Sequence, residues 1–136
     1  MSESLNGVGV GFRVLAVDDS QLSRKRFVAA PLRDAGFEVL EAENGQKGLE
    51  VLSTEQVDCV ISDLLMPVMD GFAFIEQLKA QGYTGPIIVA SADIQQSSRD
   101  RIEALGVGMF LNKPFKAAEL VAAVAGACQS VEGASI

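Results

Sequence analysis

The sequence contains no histidine. This absence excludes histidine general bases, Ser-His-Asp and Cys-His catalysis, and every zinc site that requires an imidazole ligand. Basic residues are also few, since 11 lysines and arginines face 18 acidic residues and leave a net charge of −7 at pH 7. Such an acidic balance disfavours non-specific binding to nucleic acid or to an anionic membrane surface. We therefore expect neither nucleic acid nor a membrane among the partners of this chain.

Cysteines and long apolar runs are also scarce. The two cysteines, Cys59 and Cys128, lie far apart and outside any C-x-x-C spacing, so we expect small, buried or half-buried thiols. Residues 1–11 have neither the basic start nor the apolar stretch of a signal peptide. No apolar run approaches the roughly 20 residues that a membrane-spanning helix needs. The sequence therefore predicts a cytoplasmic protein.

The length of 136 residues suits one domain. We expect a flexible N-terminal tail at residues 1–11, a domain at residues 12–128 and a C-terminal tail at residues 129–136, because both flanks are rich in glycine, serine and alanine. Within the domain, short apolar runs alternate with longer segments of helical period. The predicted strands are 12–17, 37–42, 57–62, 86–91 and 107–112, and the predicted helical segments are 20–36, 44–55, 72–82, 94–106 and 116–130.

This alternation predicts an α/β fold, a parallel sheet with helices on both faces, because parallel neighbours need crossover connections. Right-handed crossovers favour the doubly wound, flavodoxin-like arrangement of five strands in the order 2-1-3-4-5. Two residues fit the pattern poorly. Pro31 interrupts the first helical segment, and Gly48 lies inside the second, where a glycine costs about 1 kcal/mol relative to alanine.

Polar side chains follow the predicted strands at their carboxyl ends. Asp18 and Asp19 come directly after the first strand and Asp63 after the third. Ser91 closes the fourth strand, and Lys113 follows the fifth. The carboxyl edge is where open α/β sheets bind ligands. We therefore expect the three carboxylates to meet in one crevice, with the hydroxyl and the ammonium directed toward it.

Three carboxylates in one crevice require neutralisation. Two such charges 4 Å apart repel each other by roughly 4 kcal/mol at an effective dielectric of 20. Protonation, Lys113 or a bound cation can each remove this repulsion. A set of oxygen ligands without histidine or thiolate suits a hard cation, and Mg²⁺ in particular, because it keeps waters that phosphate oxygens can replace. A carboxylate beside such an ion is a plausible nucleophile toward phosphorus, and its product is an aspartyl phosphate.

Four short motifs at these strand ends resemble the response-regulator receiver domain of two-component signalling. They are VDDS at 17–20, DLLMPVMDGF at 63–72, VASAD at 89–93 and NKPF at 112–115. Each motif alone is weak, but the four occur in order on the predicted strand ends. The resemblance extends from residue 12 to about residue 128, and it indicates a receiver of the stand-alone, single-domain type.

The resemblance implies a role for each residue of the crevice. Asp63 would be the phospho-acceptor. Asp18 and Asp19 would hold Mg²⁺ together with Asp63 and the backbone carbonyl of Leu65. Lys113 would contact the phosphoryl group, and the peptide bond between it and the following proline is a candidate cis bond.

The resemblance also implies a conformational switch. Ser91 occupies the position of the switch hydroxyl and Phe110 that of its aromatic partner. In the family, phosphorylation draws the hydroxyl inward and the ring follows. Phe110 has no hydroxyl, so packing alone must drive its movement. Leu65 and Asp93 lie at two positions that influence phosphoryl hydrolysis in the family, and the apolar Leu65 is expected to slow it.

The partners expected from the resemblance are proteins. A histidine kinase or a histidine phosphotransfer protein would supply the phosphoryl group. About eight residues remain after the fifth helix, too few for a DNA-binding module, so we expect output through contact with another, unidentified protein. The basic run 24–26 on the first helix either meets an acidic surface of the phosphodonor or is simply solvated. We expect no enzymatic activity beyond self-phosphorylation and autodephosphorylation.

A phosphorylation-independent adaptor on the same fold is the alternative function. The intact set of Asp18, Asp19, Asp63 and Lys113 argues against it, because degenerate receivers usually lose one of these residues. A haloacid-type hydrolase also uses aspartate and Mg²⁺, but it needs a second aspartate at the position of Leu65. A flavodoxin relative needs a hydroxyl-rich loop after the first strand, where this chain has two acids.

Overall fold

The computed structural model describes residues 7–92 and 95–134, with side chains described as far as residue 129. Its sheet has five strands, all paired in parallel, in the order β2-β1-β3-β4-β5. The predicted fold class and strand order are therefore confirmed. The strands are β1 (Arg13–Val17), β2 (Glu38–Ala42), β3 (Cys59–Ser62), β4 (Ile87–Ser91) and β5 (Met109–Asn112).

Helices connect the strands on both faces of the sheet. Two of these helices begin at a side-chain N-cap. The side chain of Asn44 accepts a hydrogen bond from the N–H of Lys47, and the side chain of Asp70 accepts one from the N–H of Ala73. The helices are α1 (Ala30–Asp34), which a π-helical segment Ser23–Ala29 precedes, α2 (Gly45–Leu52), α3 (Gly71–Ala80), α4 (Gln96–Ala104) and α5 (Ala117–Ala134).

Two apolar cores lie on the two faces of the sheet. Alternate residues of β1 supply them, since Val14 and Leu15 are both fully buried yet belong to different cores. The first helical segment and α5 cover one face, with Leu120 and Val124 inside. The other core is completed by α3 and α4. Strands β3 and β4 are buried along their whole length, as expected for strands covered on both sides.

Pro31 and Gly48, the two residues that fitted the sequence pattern poorly, both have a structural explanation. The N–H of Ala30 donates to the carbonyl of Lys25, five residues back, and Pro31 follows with no N–H to donate. The wide π-helical turn thus ends where the proline begins a regular α-helix. A Cβ on Gly48 would lie only 2.9 Å from the ring of Phe74, so the close contact between α2 and α3 requires glycine there.

The domain extends further into both flanks than the sequence predicts. The N–H of Gly9 donates to the carbonyl of Ala35 at 2.9 Å, and Val8 packs against the first core. At the other end, α5 continues to Ala134, inside the segment expected to be a tail. Glycine, serine and alanine are compatible with such packed or helical backbone when neighbouring elements fix it, which composition alone does not reveal.

Cys59 and Cys128 are both buried, as predicted, and both are free. Hydrogen bonding to Cys128, in which the Cys59 thiol is the donor, and burial both favour the protonated form and raise the pKa of the Cys59 thiol well above its ordinary value. Among the described residues, no helix is both long and apolar enough to cross a membrane.

Candidate functional site

The sheet brings Asp18 and Asp63 to the same edge. Strands β1 and β3 are neighbours, with Val17 paired to Ser62, so the residue after each strand emerges beside the other. The N–H of Asp63 continues the ladder by donating to the carbonyl of Val17 at 3.0 Å. Topology and register therefore place these two carboxylates together, although 45 positions separate them in sequence.

Lys113 joins the two carboxylates from the end of β5. Its N–H donates to the carbonyl of Ser91 at 3.0 Å, which holds its backbone against the end of β4. The ammonium Nζ lies 2.8 Å from Oδ2 of Asp18 and 2.8 Å from Oδ2 of Asp63. A third hydrogen bond of 3.1 Å goes to Oγ of Ser23. All three N–H bonds of the ammonium thus have an acceptor.

The charges in this site are largely withdrawn from solvent. Only 4% of Asp18 is exposed. Burial disfavours a charged Lys113, but the hydrogen bonds and the charges of Asp18 and Asp63 outweigh burial and raise the pKa of Lys113 above its ordinary value. The lysine therefore carries its charge at neutral pH and neutralises part of the carboxylate pair.

Backbone donors fix the orientation of the Asp63 carboxylate. Its Oδ1 accepts hydrogen bonds from the N–H of Leu64 at 2.6 Å and of Leu65 at 3.3 Å, while Oδ2 faces Lys113. The loop closes where the N–H of Gly71 donates to the carbonyl of Leu64 at 2.8 Å. A Cβ on Gly71 would collide with the carbonyl oxygen of Asp63. Glycine at 71 therefore lets the loop that carries Asp63 pack onto the start of α3.

The same loop contains a strained residue. Val68 has a φ of 69° and its side chain is 83% exposed. A β-branched residue is unfavourable in this left-handed region, because its Cβ approaches the backbone carbonyl. Little burial compensates for the strain at this position.

We expect Val68→Asn to raise the free energy of unfolding by about 1 kcal/mol, because asparagine tolerates left-handed backbone. Val68→Thr is the matched control, since threonine keeps the β-branch and should leave stability unchanged. Urea denaturation of the three proteins measures the difference. Equal stability of the asparagine and threonine variants would show that the loop is not strained at Val68.

The structure does not gather all the predicted ligands. Asp19 is exposed, and in the parts of the chain that the structure describes no group of three acidic, histidine or cysteine side chains is arranged to hold a metal. The expected convergence of three carboxylates is therefore limited to Asp18 and Asp63. Asp18 is buried against Lys113 while the next residue, Asp19, is exposed, as expected for consecutive residues whose side chains point in different directions. The side chain of Leu65 is 62% exposed.

Ser91 and Phe110, the two predicted switch residues, lie on neighbouring strands. Ser91 is fully buried at the end of β4, and Phe110 is half-buried on β5, where it pairs with Val89. The guanidinium carbon of Arg99, on α4, lies 5.0 Å from the centre of the Phe110 ring. Asp93 lies outside the described residues. The peptide bond between Lys113 and Pro114 is cis, as expected.

The sequence did not indicate the contacts of Ser23 and Arg24. Ser23 accepts from Lys113, and Arg24 donates from Nη1 to the carbonyl of Asp18 at 2.7 Å and from Nε to Oε1 of Glu41 at 2.9 Å. The one feature of the sequence that could have indicated these contacts is that both residues lie in the first helical turns after Asp18. Lys25 also pairs with Glu41, at 3.3 Å. The interpretation of the run 24–26 as a solvated helix face is therefore wrong for Arg24, whose side chain is only 11% exposed, whereas Lys25 and Arg26 are exposed.

Glu41 is the centre of this basic cluster. Besides Arg24 and Lys25, it pairs with Arg33 at 3.1 Å. Burial opposes the charge of Glu41, but the hydrogen bonds from these three residues outweigh it and lower the pKa of the carboxyl below its ordinary value. An ionised Glu41 thus anchors the first helical segment to β2.

A cavity of about 640 Å³ lies at the opposite, amino-terminal edge of the strands, where Tyr83 and Cys128 are among its lining residues. The acidic groups at that edge have structural partners. Arg13 donates to Glu55 at 2.7 Å through its side chain and to Asp58 at 2.8 Å through its backbone N–H. We therefore place the candidate functional site at the carboxyl edge, where Asp18 and Asp63 share the ammonium of Lys113, and not at this cavity.

Residues 14–125 match the family model of the response regulator receiver domain. The chain belongs to this family. Receiver domains of two-component systems take a phosphoryl group from histidine kinases, and Mg²⁺ is a general feature of that phosphorylation. The resemblance drawn from the four motifs is thereby confirmed at the level of the family.

Curated relatives and solved structures agree with this assignment. The receiver is 42% identical over 111 residues to the KDP operon transcriptional regulatory protein KdpE of Escherichia coli, covering 80% of this chain and 48% of that protein. It is 34% identical over 101 residues to the sensor histidine kinase RcsC of Escherichia coli, covering 74% of this chain and 10% of the kinase. The chain thus spans half or less of these two relatives.

A solved structure of similar size is the chemotaxis protein CheY4 of Vibrio cholerae. The TM-score is 0.80 at 34% identity, and the alignment covers 85% of this receiver and 98% of that chain. The receiver domain of the Francisella response regulator 1452 gives a TM-score of 0.83 at 25% identity, covering 89% and 99%. The fold is therefore that of a complete receiver domain.

Proposed function

We propose that this receiver accepts a phosphoryl group on Asp63 from the phosphohistidine of a kinase or a phosphotransfer protein, with Mg²⁺ as cofactor, and transmits the signal through contact with another protein. One observation carries the proposal: the ammonium of Lys113 lies 2.8 Å from both Asp18 and Asp63 at the carboxyl edge of the sheet. An acidic pair beside a fixed cation is the arrangement that phosphoryl transfer to a carboxylate requires.

The residues present fit a magnesium ion. Two carboxylate oxygens, Oδ2 of Asp18 and Oδ2 of Asp63, already share one cation in the form of the Lys113 ammonium. Asp19 follows directly in the chain, and all these donors are oxygens, which Mg²⁺ prefers. Asp18, Asp19, Asp63 and the carbonyl of Leu65 would hold the ion, which would neutralise charge on the phosphoryl oxygens.

The transfer itself exchanges one bond for another. A carboxylate oxygen of Asp63 bonds to phosphorus while the phosphorus–nitrogen bond of the donor breaks. The electron pair of that bond leaves with the imidazole, which takes up a proton, and Asp63 becomes a mixed anhydride. The hydrogen bonds to Oδ1 from Leu64 and Leu65 keep the carboxylate oriented for this step.

Lys113 must change partner during the reaction. Its contact with Oδ2 of Asp63 is exchanged for a contact with a phosphoryl oxygen, where it neutralises developing charge. The hydrogen bonds to Asp18 and Ser23 do not involve the acceptor and keep the ammonium at the site meanwhile. Because the ammonium is already held beside the acceptor, this one contact is all that it has to exchange when the phosphoryl group arrives.

We propose that Ser91 and Phe110 convert phosphorylation into a change of the surface that binds the downstream protein. In this proposal the phosphoryl group draws the Ser91 hydroxyl toward it, and the half-buried ring of Phe110 moves into the space released. Arg99 stabilises the ring in its resting position, since a cation over an aromatic face contributes about 0.5–1 kcal/mol at exposed sites. The surface formed by α4, β5 and α5 would then differ between the two states and select the downstream protein.

Incubation with acetyl phosphate and Mg²⁺, followed by intact mass measurement, tests the proposal. Wild-type protein is expected to gain one phosphoryl group, and Asp63→Asn none. Asp70→Asn is the matched control, because Asp70 caps α3 in the same loop and asparagine is also a good N-cap. A wild-type protein that gains no mass, an Asp63→Asn variant that still gains it, or a gain that survives removal of Mg²⁺ by a chelator would contradict the proposal.

The same experiment distinguishes the adaptor alternative, which predicts no phosphorylation at all. The intact and connected set of Asp18, Asp63 and Lys113 favours the switch. We propose no activity beyond self-phosphorylation and loss of the phosphoryl group. The cytoplasmic location, the absence of nucleic acid among the partners and the stand-alone character stay predictions.

A further inference from the structure

Arg24 links the acidic loop to the neighbouring strand. One end of its guanidinium, Nη1, donates to the carbonyl of Asp18 at 2.7 Å, and Nε donates to Glu41 at 2.9 Å. Only 11% of the Arg24 side chain is exposed. Both hydrogen bonds involve a charged donor and lie within the short range typical of strong contacts. The side chain therefore connects the edge strand β2 to Asp18, the residue that directly follows β1.

The carbonyl that Arg24 binds belongs to the peptide unit between Asp18 and Asp19. This unit is planar, so fixing its oxygen also fixes the plane from which the Asp19 backbone continues. The Asp18 carboxylate has its own restraints, because Oδ1 accepts from the N–H of Ser20 at 3.0 Å and Oδ2 from Lys113. Asp19 is exposed, and within the described part of the chain its carboxylate accepts no hydrogen bond.

We infer that Arg24 is a positioning residue for the acidic pair: by holding the Asp18 carbonyl, it sets the direction in which Asp19 presents its carboxylate to Mg²⁺. The inference rests on the proposed function and adds to it a residue outside the ligand set. Partners that orient metal ligands commonly change metal affinity by 10- to 100-fold when they are lost.

Lys25 provides a matched control on the adjacent position. It also pairs with Glu41, at 3.3 Å, but its side chain is 51% exposed and its hydrogen bonds go to Glu41 rather than to the acidic loop. Removal of either residue deletes one positive charge near the site and one partner of Glu41. The contact with the Asp18 carbonyl is lost only with Arg24.

If Arg24 acted only through its charge, its removal would change Mg²⁺ affinity in the opposite direction from the change expected if it positions Asp19. A cation near the site repels Mg²⁺, so charge alone predicts that its removal tightens Mg²⁺ binding. Loss of positioning predicts weaker binding, because Asp19 must then be ordered by the ion itself. The sign of the change in affinity therefore separates the two roles.

Calorimetric titration of Mg²⁺ into wild type, Arg24→Ala, Lys25→Ala and Arg24→Lys measures this sign. We expect the dissociation constant of Arg24→Ala to rise about tenfold and that of Lys25→Ala to stay within twofold of wild type. Arg24→Lys keeps the charge beside Glu41 but has one nitrogen for two acceptors, so it should also bind Mg²⁺ several-fold more weakly. If Arg24→Ala fails to fold, the Mg²⁺ affinity of Arg24→Lys tests the inference in its place.

Three results would overturn the inference. They are unchanged or tighter Mg²⁺ binding by both Arg24 variants, full recovery of affinity in Arg24→Lys, or an equal loss in Lys25→Ala. In each case wild type still binds Mg²⁺, so the proposed function stands. A wild-type protein that binds no Mg²⁺ would instead contradict the proposed function on which the inference depends.

Discussion

Replacement of Lys113 by glutamine is expected to slow phosphorylation of Asp63 by about 10²–10³-fold, the usual cost of removing one group that stabilises charge in a transition state. Glutamine can still donate one hydrogen bond, but it cannot neutralise the phosphoryl oxygen. The same substitution should tighten Mg²⁺ binding about tenfold. Asp18 and Asp63 then lose the cation that lies 2.8 Å from each and repel each other more strongly, which favours binding of Mg²⁺. Repulsion of this kind reaches roughly 4 kcal/mol for two unit charges 4 Å apart at an effective dielectric of 20.

These two changes in opposite directions distinguish a catalytic lysine from a structural one. Initial rates with acetyl phosphate at saturating Mg²⁺ measure the first change, and calorimetric titration of Mg²⁺ measures the second. Lys116→Gln is the matched control, since Lys116 is exposed and three residues away, and it should alter neither quantity. Weaker Mg²⁺ binding by Lys113→Gln would indicate a collapsed site rather than a lost charge, and an unchanged rate would remove Lys113 from the reaction.

Gly71→Ala is expected to lower the free energy of unfolding by about 3 kcal/mol, the upper end of the cost of overpacking. The added methyl group would meet the carbonyl oxygen of Asp63 and the Cα of Leu64, and backbone atoms have little room to move away. Relief of this contact requires the loop that carries Asp63 to shift. Phosphorylation should therefore slow as well, even where the variant remains folded.

Gly126→Ala is the same substitution at another position, but we expect it to raise the free energy of unfolding rather than lower it. Gly126 lies on α5, and a Cβ there meets no heavy atom within 4 Å. Alanine should therefore stabilise the helix by up to about 1 kcal/mol, the difference in helix propensity. Urea denaturation of both variants tests the pair. A Gly71→Ala variant as stable as wild type would mean that the loop has another packing available near Asp63.

The sheet could be predicted from the sequence because strand burial leaves a local signature. The predicted strands start one or two residues earlier than the observed ones, but all five end at the observed residue. The carboxyl ends matter for the site, since they decide which residues follow the strands into the crevice. The predicted strand order also placed the run 37–42 at an edge of the sheet, and it forms the edge strand β2.

The arrangement of the side chains could be predicted only in part. Asp18, Asp63 and Lys113 were expected to converge, and they do so at hydrogen-bonding distance. Asp19 was expected to join them, but its side chain is exposed. Arg24 was interpreted as a docking or solvated residue, whereas Glu41 and the Asp18 carbonyl hold it against the sheet. The spacing of apolar residues along the chain carries no information about these polar contacts.

The sequence by itself determined the order of strands and helices, and with it the set of residues that leave the sheet at its carboxyl edge. Apolar period and strand length are properties of short segments, so they can be read without knowing what packs against them. Tertiary structure alone decided which of those residues touch. A contact such as Lys113 to Asp18, across 95 positions of sequence, depends on strand register and on the direction of each side chain, and these are fixed only when the layers pack together.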